Sequence, residues 1–141
     1  MNDVKQIKVT IESDISDDII LRDYSGEYAF DGKTHYIVYT DYEGNDITKI
    51  GIQATEFEML IHRSGGYNGK MFFSVGNDTL MDYDAFGLKT ELILHTYEYS
   101  VQKEANELVI EVKYGLKTKS NPKEINGTQN MKITVKEDKK I

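Results

Sequence analysis

The 141-residue chain carries 24 acidic against 17 basic side chains, a formal charge of −7, and no cysteine. One domain of this length buries roughly 68–70% of its unfolded surface, enough for a core without metals or cross-links. The lack of cysteine excludes a disulfide framework, a thiolate zinc site and a cysteine nucleophile, and favours a reducing compartment. The negative charge argues against nucleic acid, which attracts concentrated positive charge; the only basic cluster, Lys136 with Lys139 and Lys140, is broken by Glu137 and Asp138. The chain opens Met1-Asn2-Asp3-Val4-Lys5 with no apolar leader, and its apolar runs are far too short to span a membrane, so a cytoplasmic location is expected.

Four alanines and one proline stand against ten tyrosines. That composition disfavours helices and suits pleated, half-buried surfaces. Period-two alternation begins at once, with Ile7, Val9 and Ile11 on one face and Lys8, Thr10 and Glu12 on the other. Asp17-Asp18 precedes an apolar run from Ile19 to Tyr24, and Gly26 is expected to interrupt before Glu27 to Phe30. Asp31-Gly32 signals a hairpin turn into a strand from Thr34 to Glu43, and Glu43-Gly44-Asn45-Asp46 turns into Ile47 to Ala54. Glu58 to Ser64 comes next, then a turn placed at Asn68-Gly69, then Lys70 to Val75. Gly76-Asn77-Asp78 leads into Thr79 to Tyr83, and the longest strand is expected from Leu88 to about Val101. Leu108 to Leu116 and Gln129 to Glu137 complete the series, with Lys117 to Thr128, including Pro122, as an exposed loop.

Ten or eleven short strands on tight turns imply an antiparallel meander, because parallel neighbours need long crossovers. Closing such a sheet removes its edges. The expectation is a single all-β domain over residues 1–141, a lipocalin- or calycin-like barrel of about 8–10 strands. A two-sheet sandwich is the main competitor, but it relies on longer Greek-key connections.

The chemical motifs are few. Ser64-Gly65-Gly66-Tyr67-Asn68-Gly69-Lys70-Met71 superficially resembles a phosphate loop, but it has Ser64 where the first Gly should be and Met71 where the Ser/Thr should be, and Lys70-Met71-Phe72-Phe73 is a strand pattern rather than a helix N-terminus. His35, His62 and His95 share no metal-ligand spacing, and no metal or cofactor is expected. Asp41 with Glu43 and Asp46, and Asp82 with Asp84, fail the calcium-loop pattern and fit solvated turns. Ser64 and His62 share a face but lack an orienting carboxylate, and no nucleophile elbow is present, so no catalytic residue is nominated.

Arg63 stands out. Alternation places it on the face of Phe57, Met59 and Ile61, the apparent core side, where a guanidinium must be paired or stay wet. Two readings are open: a structural salt bridge or cap on carbonyls at the barrel end, which is the more usual fate of such a charge, or an anchor for an anionic ligand. The nominated site for that ligand is Arg63 with Ser64 and Gly65, whose glycine lets a ligand approach the backbone, and Tyr114 from a strand that would face inward. Tyr36, Tyr39, Tyr97, Tyr99 and Tyr114 supply candidate pocket-lining rings. Two functions are in contention: a barrel binding a small molecule in its interior or mouth, or a structural or protein-interaction barrel with a filled interior; an enzyme is a weaker third option, with no reaction named by the sequence. An interior cavity is the discriminating observation, and the oligomeric state is open.

Leu60-Ile61-His62-Arg63-Ser64-Gly65 resembles the apolar-x-Arg-Ser-Gly strand end of the YwiB-like family, uncharacterised bacterial proteins with a calycin-type barrel. Three other pieces lie in the matching order: Phe86-Gly87-Leu88 opening the long strand, Tyr114-Gly115-Leu116 at the family's Tyr-x-Leu, and Asn130-Met131-Lys132-Ile133 in the last strand. Asp84-Ala85 stands where the family has Thr-Pro, so no role for that threonine carries over. The resemblance implies a barrel and a bacterial cytosolic setting, and no reaction.

Overall fold

The alternation that runs through the sequence becomes ten strands. They are β1 (Lys5–Ile15), β2 (Asp18–Phe30), β3 (His35–Glu43), β4 (Asp46–Ala54), β5 (Glu58–Gly65), β6 (Tyr67–Ser74), β7 (Asp78–Ala85), β8 (Leu88–Lys103), β9 (Glu107–Thr118) and β10 (Ile125–Glu137). The computed structural model describes residues 4–15, 18–85, 88–121 and 125–138. Met1 to Asp3, Asp17, Phe86-Gly87, Pro122 and Lys139-Lys140, all used in the sequence reading, lie outside the described residues.

Each strand pairs antiparallel with the next, and β1 pairs with β10 from Ile7↔Glu137 to Asp14↔Asn130, so the sheet closes. The fold is thus an all-β, ten-stranded up-and-down barrel, and the sandwich alternative is gone. Among the described residues no helix is long and apolar enough to cross a membrane.

Inward positions of all ten strands meet in one core. Val9, Ile37, Phe73, Leu94, Ile110 and Ile133 are each 0% exposed. Side chains with no surface left for water cannot line an empty chamber, so the middle of the barrel is filled. Each such burial contributes roughly 1.5–3 kcal/mol relative to an exposed side chain. Thr96, also fully buried, accepts the Ser74 N–H through its hydroxyl (3.2 Å), and among the described residues no buried side-chain nitrogen or oxygen lacks a partner.

Several local expectations are corrected. β2 runs through Gly26 as one strand instead of being interrupted there. The β5–β6 reversal occurs at Gly65-Gly66, where Gly65 has φ +126°, and Asn68-Gly69 lies inside β6. Asn68 instead supports the turn: its side-chain oxygen accepts the Gly65 N–H (3.2 Å). Phe57 is in the β4–β5 turn and 74% exposed, so it does not share the buried face of Met59 and Ile61. The expected loop from Lys117 to Thr128 is shorter, because β9 reaches Thr118 and β10 starts at Ile125.

The meander sends the β1–β2, β3–β4, β5–β6, β7–β8 and β9–β10 connections to one end, the mouth. The opposite end carries a cross-tie. Tyr99 of β8 reaches across the barrel to the β4–β5 turn, where its hydroxyl donates to the carbonyls of Thr55 (2.7 Å) and Glu58 (3.2 Å). At this end His35, 6% exposed, has its Nδ1 2.7 Å from the Tyr28 hydroxyl and its ring stacked on Phe30 at 4.4 Å.

Burial, reinforced by the Lys103 charge, holds the His35 imidazole below its ordinary pKa. The unfolded chain therefore binds this proton more readily than the folded one. The stability contribution is complete above about pH 6.5, the unfolded value, and is lost as pH falls through the lower folded value. Urea unfolding between pH 7 and pH 5 should show a smaller loss of stability in His35→Gln than in wild type; equal losses would show that His35 does not titrate with folding.

Candidate functional site at the barrel mouth

Met59 and Ile61 bury their side chains in the core, and Arg63, two residues on, continues that face to the mouth half-buried. Register sets Arg63 between Ile50 of β4 and Gly69 of β6. Gly69 has no side chain to occupy the space beside it. The guanidinium leans toward Met71, also of β6, with Nη1 3.5 Å from Sδ, a weak contact. Among the described residues no carboxylate lies within ion-pair distance of Arg63.

Its surroundings are phenolic. Burial raises the pKa of the Tyr39 and Tyr114 hydroxyls, and the Arg63 charge pulls both the other way, which places the cation among them. Tyr114 stacks edge-on against Phe73 (5.2 Å between ring centres) and donates to the Gln129 side-chain oxygen (2.8 Å). Tyr39 stacks on Tyr24 of β2 at 4.5 Å. The Tyr24 hydroxyl is raised by burial and then by Asp41, with Arg22 opposing. Tyr67 is on the same face of β6 as Met71 and Phe73 and acts on both Tyr24 and Tyr39. The result is a half-buried cation, without an ion pair among the described residues, within a tyrosine-lined rim.

Of the nominated residues, Arg63 and Tyr114 come together. Ser64 does not join them: it is exposed and points outward, as period two requires of a neighbour of Arg63. Gly65 forms the reversal, with its backbone pressed against the Ile47 carbonyl. Of the five tyrosines named for a pocket, Tyr36 and Tyr97 are exposed, and Tyr99 belongs to the opposite end. Tyr24, Tyr67 and Gln129 were missed; their inward phase was visible, but not which strands they would face.

Outside the wall, Arg63 also borders a groove of about 360 Å³ with His62, Ser64, Asn68, Lys70, Asp82, Asp84 and Lys89. His62 lies flat over Gly51 of β4, where an added Cβ would sit 2.5 Å from Nε2. On the outer face, His95 Nδ1 is 2.6 Å from Asp78, whose other oxygen is 3.0 Å from the Lys117 ammonium. The Lys117 and then the His95 hydrogen bonds hold the Asp78 carboxyl below its usual range. Among the described residues no hydroxyl is hydrogen-bonded to His95, so this pair lacks a nucleophile, and no three His, Asp or Glu converge as a metal set.

Comparison with known proteins bears on the barrel fold. The chain belongs to the DUF1934 family, described as a domain of unknown function, which matches residues 5–138. It is similar in structure to the ywiB protein from Bacillus subtilis, seen in a crystal structure, with a TM-score of 0.81 at 20% identity over 96% of this chain and 94% of that one. At that identity the likeness concerns the fold. Comparison with curated proteins gives no match.

Proposed function

We propose that this barrel binds a small anionic ligand, a carboxylate or phosphate, at its mouth through Arg63. The observation that carries this reading is a half-buried guanidinium with no carboxylate partner among the described residues. A guanidinium offers a planar fork suited to two parallel hydrogen bonds with such anions. The tyrosine rings around it add flat apolar area and hydroxyl donors, which suits a ligand with an aromatic or otherwise flat body. Because the centre is filled, the site is a shallow one at the rim instead of a central chamber. A cytoplasmic setting without nucleic acid fits the net charge of −7 and the charged outer wall, where Lys132 faces Glu111 at 4.0 Å and Lys136 faces Glu107 at 3.8 Å.

Arg63→Met tests the reading, with benzoate and inorganic phosphate as probes in thermal denaturation. Without a carboxylate to orphan, the variant should melt within about 1 kcal/mol of wild type or above it, since a half-buried cation costs desolvation. Wild type should be stabilised by at least one probe, by about 2.7 kcal/mol at a hundredfold excess over Kd, and the variant by neither. A ligand-free loss of about 3 kcal/mol or more, with no probe shifting wild type, would assign Arg63 to structure alone.

A further inference from the structure

The barrel is closed, but its ladders are not complete. β2 pairs with β1 along Asp18–Tyr28, whereas its pairing with β3 covers only Gly26–Phe30. Beyond Gly26 the two strands part, and among the described residues no strand pairs with Asp18–Ser25 on the side away from β1. The second such gap, between β6 and β7, is bridged: Thr79 donates through its hydroxyl to the Phe72 carbonyl (2.6 Å), and Val75 makes a parallel bridge to Thr96. The β3 side of the first gap, Thr40–Glu43, carries the carboxylates of Asp41 and Glu43, a usual defence of an open edge.

On the β2 edge the charges stand only at the ends of an apolar run, where they can pair with a second copy instead of repelling it. Asp18-Ile19-Ile20-Leu21-Arg22 contains no lysine or proline, and Ile19, Ile20 and Leu21 are 68%, 40% and 60% exposed. Paired antiparallel with itself about Ile20, the segment is self-complementary. Asp18 meets Arg22 of the second copy, Ile19 meets Leu21, and Ile20 meets Ile20, with both ion pairs generated by the same two-fold axis. Only an even register keeps each barrel's inward positions on one face of the joined sheet, and this one also puts opposite charges face to face. Asp23, next in line, is turned back to its own barrel, where Thr10 donates to its carboxylate at 2.7 Å.

We infer that the free edge of β2 is the interface of a symmetric homodimer, in which two copies of this chain join Asp18–Arg22 antiparallel into one continuous sheet. Sedimentation equilibrium over a concentration series should show wild type rising from 16.2 kDa toward twice that mass. Ile20→Lys, which places two ammonium groups on the axis, should stay monomeric with an unchanged far-UV spectrum, as expected for an exposed position. Asp18→Arg and Arg22→Asp should each weaken association at least tenfold by opposing like charges, and the double exchange should restore it. A wild type that stays monomeric at millimolar concentration, or a dimer indifferent to Ile20→Lys, overturns the inference. A dimer disrupted by Ile20→Lys but not restored by the double charge exchange overturns the proposed register.

Discussion

Phe73→Ala should cost about 3–5 kcal/mol, among the largest losses of any single side chain here. Phe73 is the bulkiest of the fully buried side chains, in the middle of a barrel that has no second core to share the strain. Its ring also supports Tyr114 edge-on at 5.2 Å, so truncation removes both the packing and the prop for a rim residue. A closed hydrogen-bonded wall collapses poorly onto a hole, which puts the expected cost high in the range for such truncations. Chemical denaturation measures it, and a loss under about 1.5 kcal/mol would mean that the wall repacks freely. The variant also connects to the mouth: with Tyr114 loosened, any stabilisation by benzoate or phosphate should fall as well.

Gly65→Ala should be nearly as damaging, at about 3 kcal/mol or more. Two independent effects coincide at this residue. Its φ of +126° is a conformation that side chains with a Cβ rarely adopt, and the Cβ would sit 2.2 Å from the Ile47 carbonyl oxygen, where backbone must move to make room. Gly32 separates the two: it too has positive φ, +97°, but an added Cβ meets nothing within 4 Å, so Gly32→Ala should cost about 1 kcal/mol. Equal melting losses for the two variants would place the whole penalty in the dihedral angle and none in the contact with β4.

Much of the architecture was legible because one face of nearly every strand is buried. Ile37 with Tyr39 on β3, and Met59 with Ile61 on β5, alternate as a half-buried strand must, and Asp31-Gly32 and Gly44 turn where expected. Alternation counts residues, however, and it fails where the backbone inserts one. The β8–β9 register shifts between Thr96 and Glu98, so Tyr97 ends up exposed while Thr96 and Tyr99 both turn inward. At Gly65 the difficulty was a contact with β4, which selects Gly65-Gly66 over the commoner Asn-Gly signal as the place to reverse. The mouth was legible only in part. Arg63 and Tyr114 could be read from their own strands, but the approach of Tyr24 to Tyr39 and of Gln129 to Tyr114 depends on how ten strands are staggered around a closed wall.

That closure sets a condition on biosynthesis. Ile7 is paired with Glu137, so the first strand made must wait for the last one before either has both neighbours. Until β10 leaves the ribosome, β1 and β9 each present an open row of backbone groups, and the inner face of a nine-stranded ribbon has no second wall against it. Long-range pairing of this kind pays its loop entropy before it gains contacts, which places the chain among slow folders. The interval in which it is prone to mispairing is therefore governed by the arrival of β10, the strand that turns an aggregation-prone sheet into a barrel.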